Sequence, residues 1–128
     1  MANKILSIIE TAYRATLEEQ DDTVVWLMHQ LCAAGMGVTV VLRGNAVCYA
    51  SREQDASGLV FGDRRQTNPP RLERDVAALA TSGVDVLVID EDLVARGLEA
   101  ADLIDGVRLV PREAMVKLAG AHEHVWHW

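Results

Sequence analysis

Two cysteines, three prolines and one phenylalanine are all that 128 residues contain of these types. No apolar run approaches the roughly 20 residues needed to span a bilayer. The opening "MANKILSIIET" has one lysine, a short apolar run and no credible cleavage site, so it reads as a first strand and not as a signal peptide. The chain is therefore expected to be cytoplasmic, where Cys32 and Cys48 stay reduced; neither sits in a Cys-x-x-Cys pair. Basic residues are scarce as well, 12 against 19 acidic ones, for a net charge of −7. That excludes a nucleic-acid partner, which needs a basic face, and argues against an anionic membrane surface. There is no Walker loop, GxGxxG, GxSxG or HExxH, so nucleotide and classical hydrolase readings have no positive support. No internal repeat or low-complexity segment occurs.

Half of the residues are hydrophobic and about a quarter charged, ordinary for a globular protein. The length suits one domain, 1–128, able to bury about two-thirds of its surface without staples. Lys4 to Thr11 is an isoleucine-rich strand candidate. Thr16 to Asp22 suits a helix start, and Val24, Leu27, Met28, Leu31 and Cys32 form one apolar helix face, stopped at Gly35 and Gly37. Val38 to Leu42 is a second strand, followed by "GNAVCYAS". Residues 51–70 have no clear period, and structureless connections of that size are often functional. Leu72, Val76, Leu79 and Ala80 mark a helix ended by Gly83. Val84 to Ile89 is a third strand, Asp92 to Arg96 a short helix, Val107 to Val110 a fourth strand and Pro111 to Ala119 a helix. The tail "HEHVWHW" suits a fifth, short strand.

Strands alternating with helices predict an α/β fold, a three-layer α/β/α arrangement around a mainly parallel sheet of about five strands. In such sheets ligands gather beyond the carboxyl ends of the strands. Those ends are Glu10–Tyr13, Arg43–Cys48, Asp90–Asp92 and Pro111–Arg112.

In order and spacing, these segments resemble the DsrE/DsrF/DsrH-like family, small sulfur-relay proteins that include the Tus subunits. The match rests on "LCAAGMGVTVVL", on "GNAVCYA" as the family's Gly-x-x-Val turn, on the segment before the helix ending in Ser-Gly, on "DEDLVARGL" closed by Arg-Gly, and on "LIDGVRLVPREAMVKL". The resemblance implies trimers or hexamers of like or related subunits, and a sulfur-carrier protein as partner. Active carriers of this family place a cysteine shortly after the third strand, ahead of the Arg-Gly, and form a persulfide on it. Here the matching residues are Ile89, Asp90 and Glu91. A carboxylate cannot hold a sulfane sulfur, so the resemblance points to the subunits of the relay that scaffold.

Cys48 is the alternative carrier, just past the second strand, with Arg43 or Arg52 near enough in sequence to lower its pKa; otherwise it is a small hydrophobe in a turn. Cys32 reads as core. Arg43 and Asn45, with Asp90 and Glu91, are candidate binding residues at the strand ends; the plainer reading of the acids is a helix cap. Arg64 and Arg65 are able to hold sulfite, thiosulfate or an acidic patch through bidentate bonds, or are solvated loop charges. His122, His124 and His127 suggest zinc or copper, but on an extended tail His127 faces away from the other two, so no metal and no cofactor is expected. Trp126 and Trp128 left in water would form a costly apolar patch, so an interface is their expected home. The leading expectation is an intracellular DsrE-like subunit of a sulfur-transfer or sulfur-oxidation system, with Cys48 its sole candidate carrier. The alternatives are an oligomeric interaction protein unrelated to sulfur, and a small metal-binding protein using the terminal histidines.

Overall fold

A computed structural model describes residues 4–13, 19–55 and 57–128. Its elements follow in chain order: β1 (Lys4–Ile9), α1 (Thr23–Ala33), β2 (Gly37–Leu42), a 3-10 segment (Gly44–Ala50), a hairpin of β3 (Val60–Phe61) and β4 (Arg64–Arg65), α2 (Leu72–Thr81), β5 (Asp85–Ile89), α3 (Asp90–Ala95), a short 3-10 turn (Ala100–Asp102), β6 (Val107–Val110), α4 (Ala114–Gly120) and β7 (His124–His127). Five strands form one sheet in the order β6-β5-β2-β1-β7, and every pairing is parallel. The expected layered α/β fold around a parallel sheet is present.

A parallel sheet is covered on both faces, so its inner strands read as near-continuous apolar runs. Ile5 to Ile9 of β1 are all buried, and so are Val86 to Ile89 of β5. One face carries the larger core, where Val24, Val25 and Met28 of α1 meet Leu72, Val76 and Leu79 of α2, with Leu93 of α3 beside them. The other face, Leu6, Ile8, Val41, Leu87 and Ile89, is packed by Met115 and Leu118 of α4. The chain steps outward from β1 through β2 and β5 to β6, with its helices on the first face. It then returns by α4, on the second face, to place β7 beyond β1. The loops after β5 and β6 thus leave toward opposite faces, and a crevice is expected between those two carboxyl ends.

Several boundaries differ from the sequence expectations for local reasons. Helix α1 starts at Thr23 because Asp22 caps it: Asp22 Oδ1 accepts the amides of Val24 (2.9 Å) and Val25 (3.1 Å). Thr16 to Glu18, part of the expected helix start, lie outside the described residues. "GNAVCYA" winds into a 3-10 segment that buries Ala46, Val47, Tyr49 and Ala50. Gly44 opens it at φ +55°, and a Cβ there would meet Glu10 Cγ at 3.0 Å. Within 51–70, expected to be without structure, Val60 pairs with Arg65 and Phe61 with Arg64 across a turn. Helix α4 begins at Ala114, because residues from Pro111 first form a turn in which the Ala114 amide donates to Pro111 O (3.0 Å). The expected fifth strand is β7, seated against β1 from Ile5↔His124 to Ile8↔His127.

Asp22 is fully buried and does more than cap. Its Oδ2 accepts the hydroxyl of Tyr49 (2.6 Å), itself fully buried, and that hydroxyl oxygen also takes the amide of Tyr13. One carboxylate thus ties the start of α1 to the 3-10 segment and to the loop after β1. Asp22→Ala removes a cap, about 1 kcal/mol, and takes away the carboxylate to which the buried Tyr49 hydroxyl donates, about 1–3 kcal/mol. Urea denaturation should show a loss of about 2–4 kcal/mol, the sum of those two terms. A loss within measurement error would contradict this role, and Asp22→Asn, which keeps an acceptor, should cost less.

Candidate functional site

Glu10, Arg43, Gly44, Asn45, Asp90 to Asp92, Pro111, Arg112 and His127 meet at the carboxyl end of the sheet because every strand of that sheet points the same way. At the middle of this rim is Asp92, on the first turn of α3. Its Oδ2 accepts the amide of Gly44 (2.8 Å), at the end of β2, and its Oδ1 pairs with Arg112 Nη2 (2.7 Å), after β6. The Asp92 side chain is only 14% exposed. Burial alone would push its carboxyl up, but the Gly44 amide, the Arg112 guanidinium and Arg96 together outweigh burial and hold it below the usual carboxylate range. Arg96 spans the same ground: its Nη1 donates to Asp92 O (3.0 Å), and its Nε and Nη2 donate to Asn45 Oδ1 (3.1 and 2.9 Å).

Glu91 takes the backbone amide of Arg112 on both carboxylate oxygens (2.9 and 3.1 Å). Arg112 thus lies across the carboxyl ends of β5 and β6, held by one acid through its backbone and by the next through its side chain. One ion pair and a backbone amide shared by two carboxylate oxygens cross between those strand ends. Asp90 is exposed, and its side chain hydrogen-bonds to no described residue. Neither it nor Glu91 caps α3, whose N-cap is Ile89, with no side-chain bond to the first turn. Three acids on that turn still suit the positive end of the helix. Farther along the rim, Arg43 Nε lies 3.5 Å from Glu10 Oε1, which also takes His127 Nε2 (2.8 Å).

Cys48 sits apart from this network, half-buried in the 3-10 segment between the buried Val47 and Tyr49 and packed on the larger core. Tyr13 is near it: burial raises the Tyr13 phenol, and Cys48 adds to that rise. Tyr13 stands edge-on to Tyr49 (5.3 Å) and forms part of the wall of a pocket of about 220 Å³. Arg43 and Arg52, the cations nearest Cys48 in sequence, are engaged elsewhere, Arg52 with Asp105 at 2.8 Å. Cys32 is half-buried on α1, its Sγ 3.5 Å from Ser82 O.

Arg64 and Arg65 are exposed on the β3–β4 hairpin, away from the rim network; Arg65 Nη2 donates weakly to Ser57 O (3.4 Å). His122 has both ring nitrogens occupied, with Nδ1 2.7 Å from Leu118 O and Nε2 2.8 Å from Thr39 Oγ1. The carbonyl can only accept, so Nδ1 donates to it, while the threonine hydroxyl can serve Nε2 as either donor or acceptor. His124 is exposed. Among the described residues no three His, Cys, Asp or Glu side chains are grouped to hold a metal. Trp126 and Trp128 already have a place within the chain: they stand edge-to-face (6.1 Å), pack on the larger core, and Trp128 Nε1 donates to the buried Ser7 Oγ (3.0 Å).

Asp92→Ala is expected to cost about 1.5–3 kcal/mol at neutral pH, the range for hydrogen bonds to a charged group. Because folding depresses the Asp92 pKa, its contribution is complete above the ordinary carboxylate value near 3.9 and is lost as pH falls through the folded value. Urea denaturation at a series of pH values should show the gap between wild type and variant closing in acid. A gap that persists or widens there would contradict the assignment.

No curated protein matches the chain. Among solved structures it is similar to the YchN protein from E. coli, with TM-score 0.70, 17% identity and 100% of each chain covered. It is also similar to a protein of unknown function, MTH1491, from Methanobacterium thermoautotrophicum, with TM-score 0.68, 17% identity, 97% of this chain and 98% of that one. A third, BT1422 from Bacteroides thetaiotaomicron, gives TM-score 0.68 at 11% identity over 98% and 95%. At such identities the likeness is one of fold. The sequence itself supplies the rest: residues 71–125, from the start of α2 into β7, match the model of the family described as DsrH like protein, and over that segment the chain is DsrH-like.

Proposed function

We propose that the chain, taken as a single DsrE-like domain over 1–128, is a supporting subunit of an intracellular sulfur-relay system, one that scaffolds or binds and does not load sulfur at the end of β5. The DsrH-like match over 71–125 supports a sulfur-relay role in general. The observation that carries the supporting role is the use made of two of the three acids after β5. Glu91 and Asp92 hold Arg112 and Gly44, and Asp92 draws its low pKa from those contacts. An oxygen acid clamped in this way has neither a sulfur atom to give nor freedom to move.

Were the chain to carry sulfur, Cys48 is the residue for it, because it follows a strand's carboxyl end and Cys32 does not. Its thiolate would attack the terminal sulfur of a donor persulfide, form the new S–S bond and release the donor thiolate. Low exposure and the engagement of Arg43 and Arg52 with acids weigh against that role. Arg43, Asn45, Asp90 and Glu91 would then act at the rim by binding or holding, Arg64 and Arg65 by meeting an anionic partner surface, and Trp126 and Trp128 at a subunit contact. On this reading the partners are copies of the chain or related subunits.

Incubation with a persulfide donor followed by intact-mass measurement tests the proposal. The supporting role predicts no gain of sulfur in the wild type or in Cys48→Ser. A gain of one sulfur in the wild type that Cys48→Ser abolishes would overturn it and make the chain a carrier.

A further inference from the structure

Helices α1 and α2 lie side by side on the larger core, and a cleft of about 170 Å³ opens between them, walled by Asp21, Val25, Trp26, His29, Asp75 and Ala78. Two features of this cleft are costly as they stand. Asp75 Oδ2 is shielded from solvent, and no described residue donates a hydrogen bond to it; the same holds of Glu73 Oε2, which is not part of the wall. A carboxylate oxygen out of water without a donor is unfavourable. The Trp26 indole, meanwhile, is 57% exposed.

The charge balance is one-sided. Burial pushes the Asp75 carboxyl up to about 6; Asp21, Glu73 and Asp22 push the same way, and Arg74 alone opposes them. The wall therefore combines two carboxylates, Asp21 and Asp75, an aromatic face that attracts cations, and the apolar Val25 and Ala78 against which an aliphatic stem can lie. The cleft is smaller than the roughly 300–1,000 Å³ of sites for drug-sized ligands, and its size suits a single head group. A chain of net charge −7 also draws basic partners toward it.

We propose that the α1–α2 cleft receives the cationic head group of an arginine or lysine from a basic segment of a partner protein, with Asp75 as the anionic contact and Trp26 as the aromatic one. Arginine fits better, because its planar guanidinium stacks on indole. This is independent of the sulfur reading and uses none of the rim residues.

An NMR titration of the ¹⁵N-labelled full chain tests it, with acetyl-Gly-Arg-Gly-amide as probe and acetyl-Gly-Gln-Gly-amide as neutral control. The Trp26 indole N–H and the Val25 and Ala78 amides should shift saturably with the arginine peptide only. Binding should weaken about tenfold in Asp75→Asn and about threefold in Trp26→Ala. Trp26 is exposed, so its variant remains informative should Asp75→Asn fail to fold. Methylguanidinium shifting the same resonances would support a seat for the head group itself. No saturable shift, equal shifts with the glutamine peptide, or undiminished binding in Trp26→Ala would overturn the proposal.

Discussion

The Asp92 carboxylate, held between the Gly44 amide and the Arg112 guanidinium, joins three strands at the end of the sheet where chemistry would be expected. Its two oxygens serve two different neighbours, so moving it releases both. Burial penalises its charge, and the charge survives because an amide dipole and two guanidinium groups repay the penalty. A group so committed is unsuited to act as a base or a mobile ligand. The clamp fixes the geometry of this end of the sheet.

That clamp is a consequence of the topology. Helices α1 and α2 cover one face, α4 covers the other, and the change of face falls between β5 and β6. Folds of this kind open a crevice there. In this chain Arg112 crosses it, with its backbone on Glu91 and its side chain on Asp92. The thiol that is present, Cys48, belongs to a segment whose neighbours are buried in the larger core. Its surroundings are aromatic and apolar more than cationic.

The layered fold was legible because its signal is local: β-branched runs bounded by glycine, and apolar residues at helical spacing. The DsrH-like character was legible in the same way, in the order of short segments, and the matched segment covers the "DEDLVARGL" and "LIDGVRLVPREAMVKL" stretches that suggested it. What sequence could not show was long-range. The partners of Asp92 are 48 and 20 residues away and that of Glu91 is 21 away, so the acids looked like a helix cap when Glu91 and Asp92 are ties between strand ends. Asp22 and Tyr49 are likewise 27 residues apart, and nothing near either announces a buried bond. The intrachain packing of the tryptophans was also out of sight, because edge strand β7 had no visible neighbour in one dimension; beside β1 they meet Ser7, each other and the core. The β3–β4 hairpin escaped notice because two-residue strands have no period to detect.

The clamp can be read directly by following the Asp92 carboxyl carbon and the Gly44 amide proton together by NMR from neutral pH into acid. The account predicts one shared midpoint below about 3.9, the ordinary value for aspartate, since the amide donates to the same carboxylate that the guanidinium groups hold charged. A midpoint at or above that value, or a Gly44 amide indifferent to the titration of Asp92, would contradict it.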